Sequence, residues 1–276
     1  MSRPVFASAR SWWTRFPTAV NPARETLRRV WRRLTWPKPT GPILHVTHYK
    51  AGSQWVLRVL QELAEPWVVP PEVDGRQFLD RPVRGWGVYP TLYLTREQVE
   101  SVPLPPTAKR FVVIRDLRDT LVSAYFSLKV SHDPVFPQMQ QFRAMLNSVS
   151  PEAALIRMIH EWCGHTAAIQ RSWLSGPDEL LKYEDFLAGD AELFERVLIG
   201  RCGLPTTPER LRAVVAGNRF EARAGRRPGQ EDRGSHERKG VAGDWRNHFT
   251  DRVARVFKRH YGDLLVATGY EPDDRW

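Results

Sequence analysis

Ile43-Leu44-His45-Val46-Thr47-His48-Tyr49-Lys50-Ala51-Gly52-Ser53-Gln54-Trp55 is the stretch that decides the fold. Its first five residues are largely apolar and read as a buried strand. Lys50 to Ser53 reads as a turn. From Ser53 to about Leu63 a helix is expected, because Trp55, Val56, Val59, Leu60 and Leu63 recur at helical spacing. A second strand–turn–helix unit follows. Phe111-Val112-Val113-Ile114 reads as a strand, Arg115-Asp116 lies at its end, and a helix is expected from about Asp119. Strands alternating with helices imply a parallel sheet, so the fold class is α/β, a three-layer αβα domain around a central parallel sheet.

Outward from these units, residues 151–173 read as helical, with Leu155, Met158, Ile159, Trp162 and Ile169 facing inward. Glu179 to Tyr183 reads as a third short strand, and 191–203 and 208–216 as helices. Residues 221–240, rich in glycine and charge, read as a mobile loop. A final helix is expected from about Asp251 to Tyr261.

In an open parallel sheet, ligands bind beyond the carboxyl ends of the strands. Two such ends carry cations, Lys50 and Arg115, and both lead into helices. A helix start offers free N–H groups and the positive end of a dipole, which suits a phosphate. Gly52 lets the backbone approach an anion closely, and Ser53 and Gln54 add donors on the first turn. Ser123 follows Arg115 by eight residues. The lysine precedes the only glycine of its loop, so this is not the Walker arrangement of ATPases and kinases.

Charge is unevenly placed. Residues 1–41 hold nine Lys/Arg and one acid, Glu25, whereas the other 235 residues hold 32 bases and 30 acids. The body is nearly balanced, so nucleic acid is not expected as a partner. Residues 1–41 read as a basic extension bearing Trp12, Trp13, Trp31 and Trp36, and residues 42–276 as the domain. Leu27, Val30, Trp31 and Leu34 share one helical face, which would lie on an anionic membrane or pack on the protein's own body or a second subunit. Cys163 and Cys202 build neither a disulfide framework nor a zinc site. With no apolar run of spanning or signal-peptide length, a cytoplasmic location is expected, and membrane association through the basic segment is left open.

Joined together, the segments resemble a known family. His48 to Trp55 is similar to the 5'-phosphosulfate loop of sulfotransferases that use 3'-phosphoadenosine 5'-phosphosulfate (PAPS). Val113 to Tyr125 resembles their 3'-phosphate segment, and Leu180-Leu181-Lys182-Tyr183-Glu184-Asp185-Phe186 their strand ending in Tyr-Glu-Asp. Arg238-Lys239-Gly240-Val241-Ala242-Gly243-Asp244-Trp245-Arg246-Asn247-His248-Phe249 resembles their C-terminal block. The four motifs fall in the family's order.

The resemblance implies a P-loop NTPase-like sulfotransferase fold and transfer of a sulfuryl group from PAPS to a hydroxyl or amine, without a metal. By it, Lys50 contacts the 5'-phosphosulfate, Ala51, Gly52, Ser53 and Gln54 cradle it, and Trp55 packs near the adenine. Arg115 and Ser123 hold the 3'-phosphate, Tyr183 bonds the adenine edge, Phe220 stacks on it, and Arg238, Lys239 and Gly240 close over the 3'-phosphate. Asp116 and Asp185 are expected to cap or brace rather than react. The family's histidine base, about 22 residues before the Arg, falls here on Tyr93, a poor base near neutral pH. Glu72 stands where glycan and protein-tyrosine relatives place a glutamate base, with His48 and His132 as rivals. An alternative is a catalytically weak relative that binds the nucleotide as a regulatory protein.

The acceptor would be a small molecule, lipid or glycan. Residues 64–90 and 129–149, including Trp67, Arg84, Trp86, Tyr89, Phe136, Met139 and Phe142, are expected to line its pocket. The segment near Lys258 overlaps the place of the family's dimer motif, which leaves a homodimer open.

Overall fold

The computed structural model describes residues 31–32, 34–131 and 137–276. His132, Phe136 and the expected helical positions Leu27 and Val30 lie outside the described residues. Strands β1 (Ile43–Val46), β2 (Val88–Leu92), β3 (Lys109–Ile114) and β4 (Leu180–Lys182) form a parallel sheet in the order β2-β1-β3-β4. Among the described residues, the helices of ten residues or more are α1 (Ser53–Ala64), α2 (Leu117–Phe126), α3 (Pro137–Ser148), α4 (Pro151–Glu161), α5 (Cys163–Ser172), α6 (Pro208–Gly217) and α7 (Asp251–Ala267).

Strand alternation sends side chains into two layers. Ile43, Phe111 and Val113 pack on one face against Val56, Val59, Leu60 and Leu63 of α1 and Leu211 and Val215 of α6. Leu44, Val46, Val112 and Ile114 face the other way, onto Ile169 of α5 and Trp173. A third cluster joins α2, α4, α5 and α7 through Leu121, Leu155, Met158, Ile159, Cys163, Val253, Phe257 and Leu264. The three-layer α/β expectation therefore holds.

Since the chain steps from β1 out to β2 and then back across to β3, the connections diverge between β1 and β3. That is the switch point where an open α/β sheet leaves a crevice at its carboxyl edge. Lys50 and Arg115 flank it.

The structure differs from expectation in several places. Strand β2 escapes a reading by propensity because Pro90 stands in its middle; proline is tolerated there because β2 is an edge strand. Tyr183 does not complete the third expected strand but opens a short helix, Tyr183–Ala188. The 151–173 helix breaks at Trp162, which separates α4 from α5. Helix α2 starts at Leu117, because the Asp116 side chain caps it by accepting from the Arg118 amide. The final helix runs on to Ala267. The segment expected to be a mobile loop begins with a helical turn, Phe220–Ala224, and then folds back on itself. Gly229 N–H donates to the Lys239 carbonyl at 2.8 Å and Asp232 N–H to that of Arg238 at 2.9 Å.

Candidate active site

The loop after β1 is shaped by two left-handed residues. Lys50 has φ 67° and Gly52 φ 77°. For Gly52 the conformation is inexpensive, and the absence of a side chain is also required: a Cβ would stand 2.7 Å from the Tyr183 ring. Lysine at positive φ is strained, a condition that clusters at functional sites. Fully buried Ala51 anchors the turn between them.

Arg115, at the end of β3, reaches across the switch point. Its Nη1 donates to the Lys50 carbonyl at 3.0 Å, its Nη2 to the Val241 carbonyl at 3.3 Å, and its guanidinium lies over the Tyr183 ring at 4.7 Å. Its Nε is buried without a hydrogen-bond partner. Burial lowers the Lys50 ammonium from 10.5 to about 8; Arg115 and Arg238 push the same way and Glu237 opposes them. Asp119 partly offsets Arg115 at 3.9 Å, and an anion bound beside Lys50 would favour its charged form. His236, on the same loop as Glu237, is lowered to about 4 by burial and then by Lys50.

The second and fourth motifs are joined by Asp119. Its carboxylate accepts from the amides of Gly243 at 2.6 Å and Trp245 at 2.8 Å. Arg118, buried beside it, pairs with Asp116 and Glu271 and lies under the rings of Trp245 and Trp276 at 3.9 and 4.5 Å. Arg238 and Lys239 both contact Asp244 at 2.5 Å. Burial raises the Asp244 carboxyl, but hydrogen bonds from Lys239, Asn247 and Arg238 outweigh it and hold the group well below the usual carboxylate range. Gly240, at φ 65°, leaves room for Phe220, whose ring a Cβ there would meet at 2.5 Å. Lys50, Gly52, Arg115, Tyr183, Arg238, Lys239, Gly240 and Phe220 are thus brought together at the carboxyl edge.

Trp55 packs edge-on against Tyr183, Phe186 and Phe194, with its indole N–H buried and unpartnered. Ser123 lies two turns into α2 and is partly open, as is Gln54 on α1. Ser53 Oγ meets the Tyr93 hydroxyl at 2.8 Å, which puts the residue at the family's histidine position inside the site.

The three expected bases fare differently. His48 is fully buried, and Arg115 N–H donates to its Nε2 at 3.1 Å. Its proton is therefore on Nδ1, donated to the Tyr49 carbonyl at 2.9 Å. The Gln170 amide bridges His48 and the Arg115 carbonyl, and burial lowers His48 to about 4. His48 is a neutral strut between β1 and β3. The Glu72 carboxylate lies on Arg81, 2.8 and 3.0 Å away. His132 is outside the described residues.

Other residues gather beside the Lys50 loop. The Tyr49 ring packs on Tyr93 at 4.2 Å and faces His165 of α5 at 6.3 Å. The negative charge of Asp74 raises Tyr49 further, after burial, and counters the lowering of His165 by burial. Asp74 is itself held at φ 56°. None of the four stood out in the sequence as a set, because they come from four separate segments. Trp67, Arg84 and Trp86 flank the start of β2, at the amino edge of the sheet, and Tyr89 is buried against Phe78.

Residues 89–269 match the family model described as "Sulfotransferase domain". Human sulfotransferase 2B1 is 28% identical over 248 residues, covering 79% of this chain; the chain spans 64% of that relative's length. Human sulfotransferase 2A1 is 25% identical over 251 residues, covering 84% of this chain and 83% of the relative. The crystal structure of mouse sulfotransferase SULT7A1 complexed with PAP superposes with a TM-score of 0.58 at 15% identity, covering 88% of this chain and 90% of that one, a likeness of fold. With two thirds of its length matched by the family model and the four motifs converging on one crevice, the chain belongs to the sulfotransferase domain family.

Proposed function

We propose that the protein transfers a sulfuryl group from PAPS to a hydroxyl or amine of a small-molecule acceptor and releases adenosine 3',5'-bisphosphate (PAP). One observation carries this: Arg115 joins the Lys50 carbonyl of the first loop to the Val241 carbonyl of the segment bearing Arg238 and Lys239, across the sheet's switch point, with its own Nε buried and unpartnered. Such a cluster fits a nucleotide bearing phosphate at both ends. Lys50 and the turn from Ala51 to Gln54 hold the 5' end. Arg115, Ser123, Arg238, Lys239 and Gly240 hold the 3'-phosphate, and Trp55, Tyr183 and Phe220 flank the base.

In the reaction the acceptor atom forms a bond to sulfur as the bond from sulfur to the phosphate oxygen breaks, and that oxygen keeps the electron pair. Lys50 faces the charge developing there, so the gain is electrostatic and positional. The acceptor's proton goes to the open side of the cleft, to His165, whose imidazolium Asp74 would stabilise. Glu72, held on Arg81, is the alternative base. A second reading, a nucleotide-binding protein without turnover, is favoured only by Tyr93 in the family's histidine position. Incubation with ³⁵S-labelled PAPS and a panel of phenols, alcohols and amines separates the two. Label on any acceptor supports transfer, and PAP binding without transfer supports the second reading.

A further inference from the structure

Trp31 and Leu34 are three residues apart on a helical turn and are 61% and 81% exposed. They belong to the face that the sequence assigns either to a partner surface or to the protein's own body. The body contact is made by other side chains. Arg32 pairs with Glu65 at 3.1 Å and lies over Trp36 at 5.0 Å, and Arg210 lies over the same ring at 4.4 Å. The chain then continues as a strap: the Trp67 indole donates to the Pro37 carbonyl at 3.1 Å, and Lys38 Nζ sits 4.8 Å from the Trp86 ring and 5.7 Å from that of Trp67. Trp86 is 47% exposed, and with Lys38, Pro66, Trp67 and Arg84 it lines a pocket of about 360 Å³.

We infer that this edge, Trp31, Leu34 and Trp86 with Lys38 and Arg84, docks on the surface of an anionic lipid bilayer. Tryptophan and leucine partition into the headgroup–acyl boundary, and cations beside them meet lipid phosphates. Charge selects the occupant. Residues 1–41 hold nine bases against one acid, so pairing two copies through this edge would bring two such segments together. An anionic bilayer attracts the same segment, by about 1 kcal/mol per Lys or Arg near the surface. No helix among the described residues is long and apolar enough to cross a membrane, so the contact is with the surface.

The edge lies at the amino ends of the strands, whereas Lys50 and Arg115 lie at the carboxyl ends. Helix α1 runs between them, from Ser53 beside the nucleotide loop to Ala64 beside Glu65. Its twelve residues span about 18 Å. Docking therefore leaves the nucleotide crevice open to water.

The test is co-sedimentation of the full chain with phosphatidylserine–phosphatidylcholine vesicles and with phosphatidylcholine vesicles alone, at low and high salt. The anionic vesicles should bind the protein, salt should weaken binding, and the double variant Trp31→Ala, Leu34→Ser should bind about tenfold more weakly or worse. Both residues are exposed, so the variant should keep the wild-type circular dichroism. Absence of binding to anionic vesicles overturns the inference. So does binding that the double variant retains in full, or self-association that the double variant abolishes. A PAP thermal shift on the same samples reports the nucleotide site separately, so that failure of the proposed function and failure of docking are distinguishable.

Discussion

Arg115 Nη1 donates to the carbonyl oxygen of Lys50 across 3.0 Å, tying the end of β3 to the end of β1. The bond fixes the strained turn of the loop and holds two cations side by side in a poorly hydrated crevice.

That proximity makes nucleotide binding sensitive to pH. Burial and neighbouring cations lower Lys50 to about 8, against 10.5 when solvated. Between those values the unfolded chain holds a proton that the folded chain lacks, so this group adds stability to the ligand-free protein as pH rises from about 8 towards 10.5. The nucleotide takes the charged lysine. Affinity for PAP should therefore decline above about pH 8, by up to about tenfold per unit. Calorimetric titration at about pH 7 and about pH 9.5 checks this, and Lys50→Arg, which stays charged, should flatten the decline. Lys50→Ala should lower kcat about 10²–10³-fold.

Gly52→Ala should disable the loop. The substitution forces a side chain into the left-handed region and against Tyr183 at 2.7 Å. A loss of about 1–3 kcal/mol in chemical denaturation is expected, together with a larger loss of PAP affinity. Wild-type values for both would contradict the account of the turn.

Asp119→Asn replaces one of two oxygens that accept the Gly243 and Trp245 amides with an amino group. It should cost about 1–3 kcal/mol of stability and loosen the segment carrying Arg238 and Lys239. PAP affinity should fall, while affinity for AMP, which lacks the 3'-phosphate, should change little. Equal losses for both nucleotides would place Asp119 outside the 3'-phosphate support.

His165→Asn and Glu72→Gln separate the two bases. His165 sits below the ordinary imidazole value because burial outweighs Asp74. With His165 as base, wild-type kcat rises with pH through that lowered value, and His165→Asn loses about 10²-fold or more together with the acidic limb of the profile. Glu72→Gln should leave turnover nearly unchanged. The opposite pattern would return the role to Glu72.

Much of this site was legible in the sequence because a single run of residues encodes each piece. Strand β1, the loop and α1 are contiguous, as are β3, Arg115 and α2, and apolar periodicity locates both units. Strand β2 was hidden because its pairing is imposed by β1 rather than by its own residues, with Pro90 tolerated at the sheet edge. The cluster proposed for the acceptor side was illegible for a related reason. Tyr49, Asp74, Tyr93 and His165 are far apart in sequence, and only the packing of α5 and the edge of β2 brings them together. A histidine beside a phosphate loop suggests chemistry, and the sequence does not show that the Arg115 amide and the Tyr49 carbonyl use both ring nitrogens of His48. In the amino-terminal segment, Trp31 and Leu34 of the expected apolar face are outward, while Arg32 and Trp36 seat the turn on the body, a division that spacing along the chain does not encode.

The most direct test of the central claim is the thermal shift of the wild-type protein with PAP, set against AMP and ATP. A ligand that binds only the folded state stabilises it by mass action, about 2.7 kcal/mol at a hundredfold excess over Kd. A rise in Tm with PAP well beyond that with AMP or ATP, lost in Lys50→Ala, is the predicted result. A folded protein whose Tm does not respond to PAP would contradict the assignment of the crevice between Lys50 and Arg115 as a PAPS site.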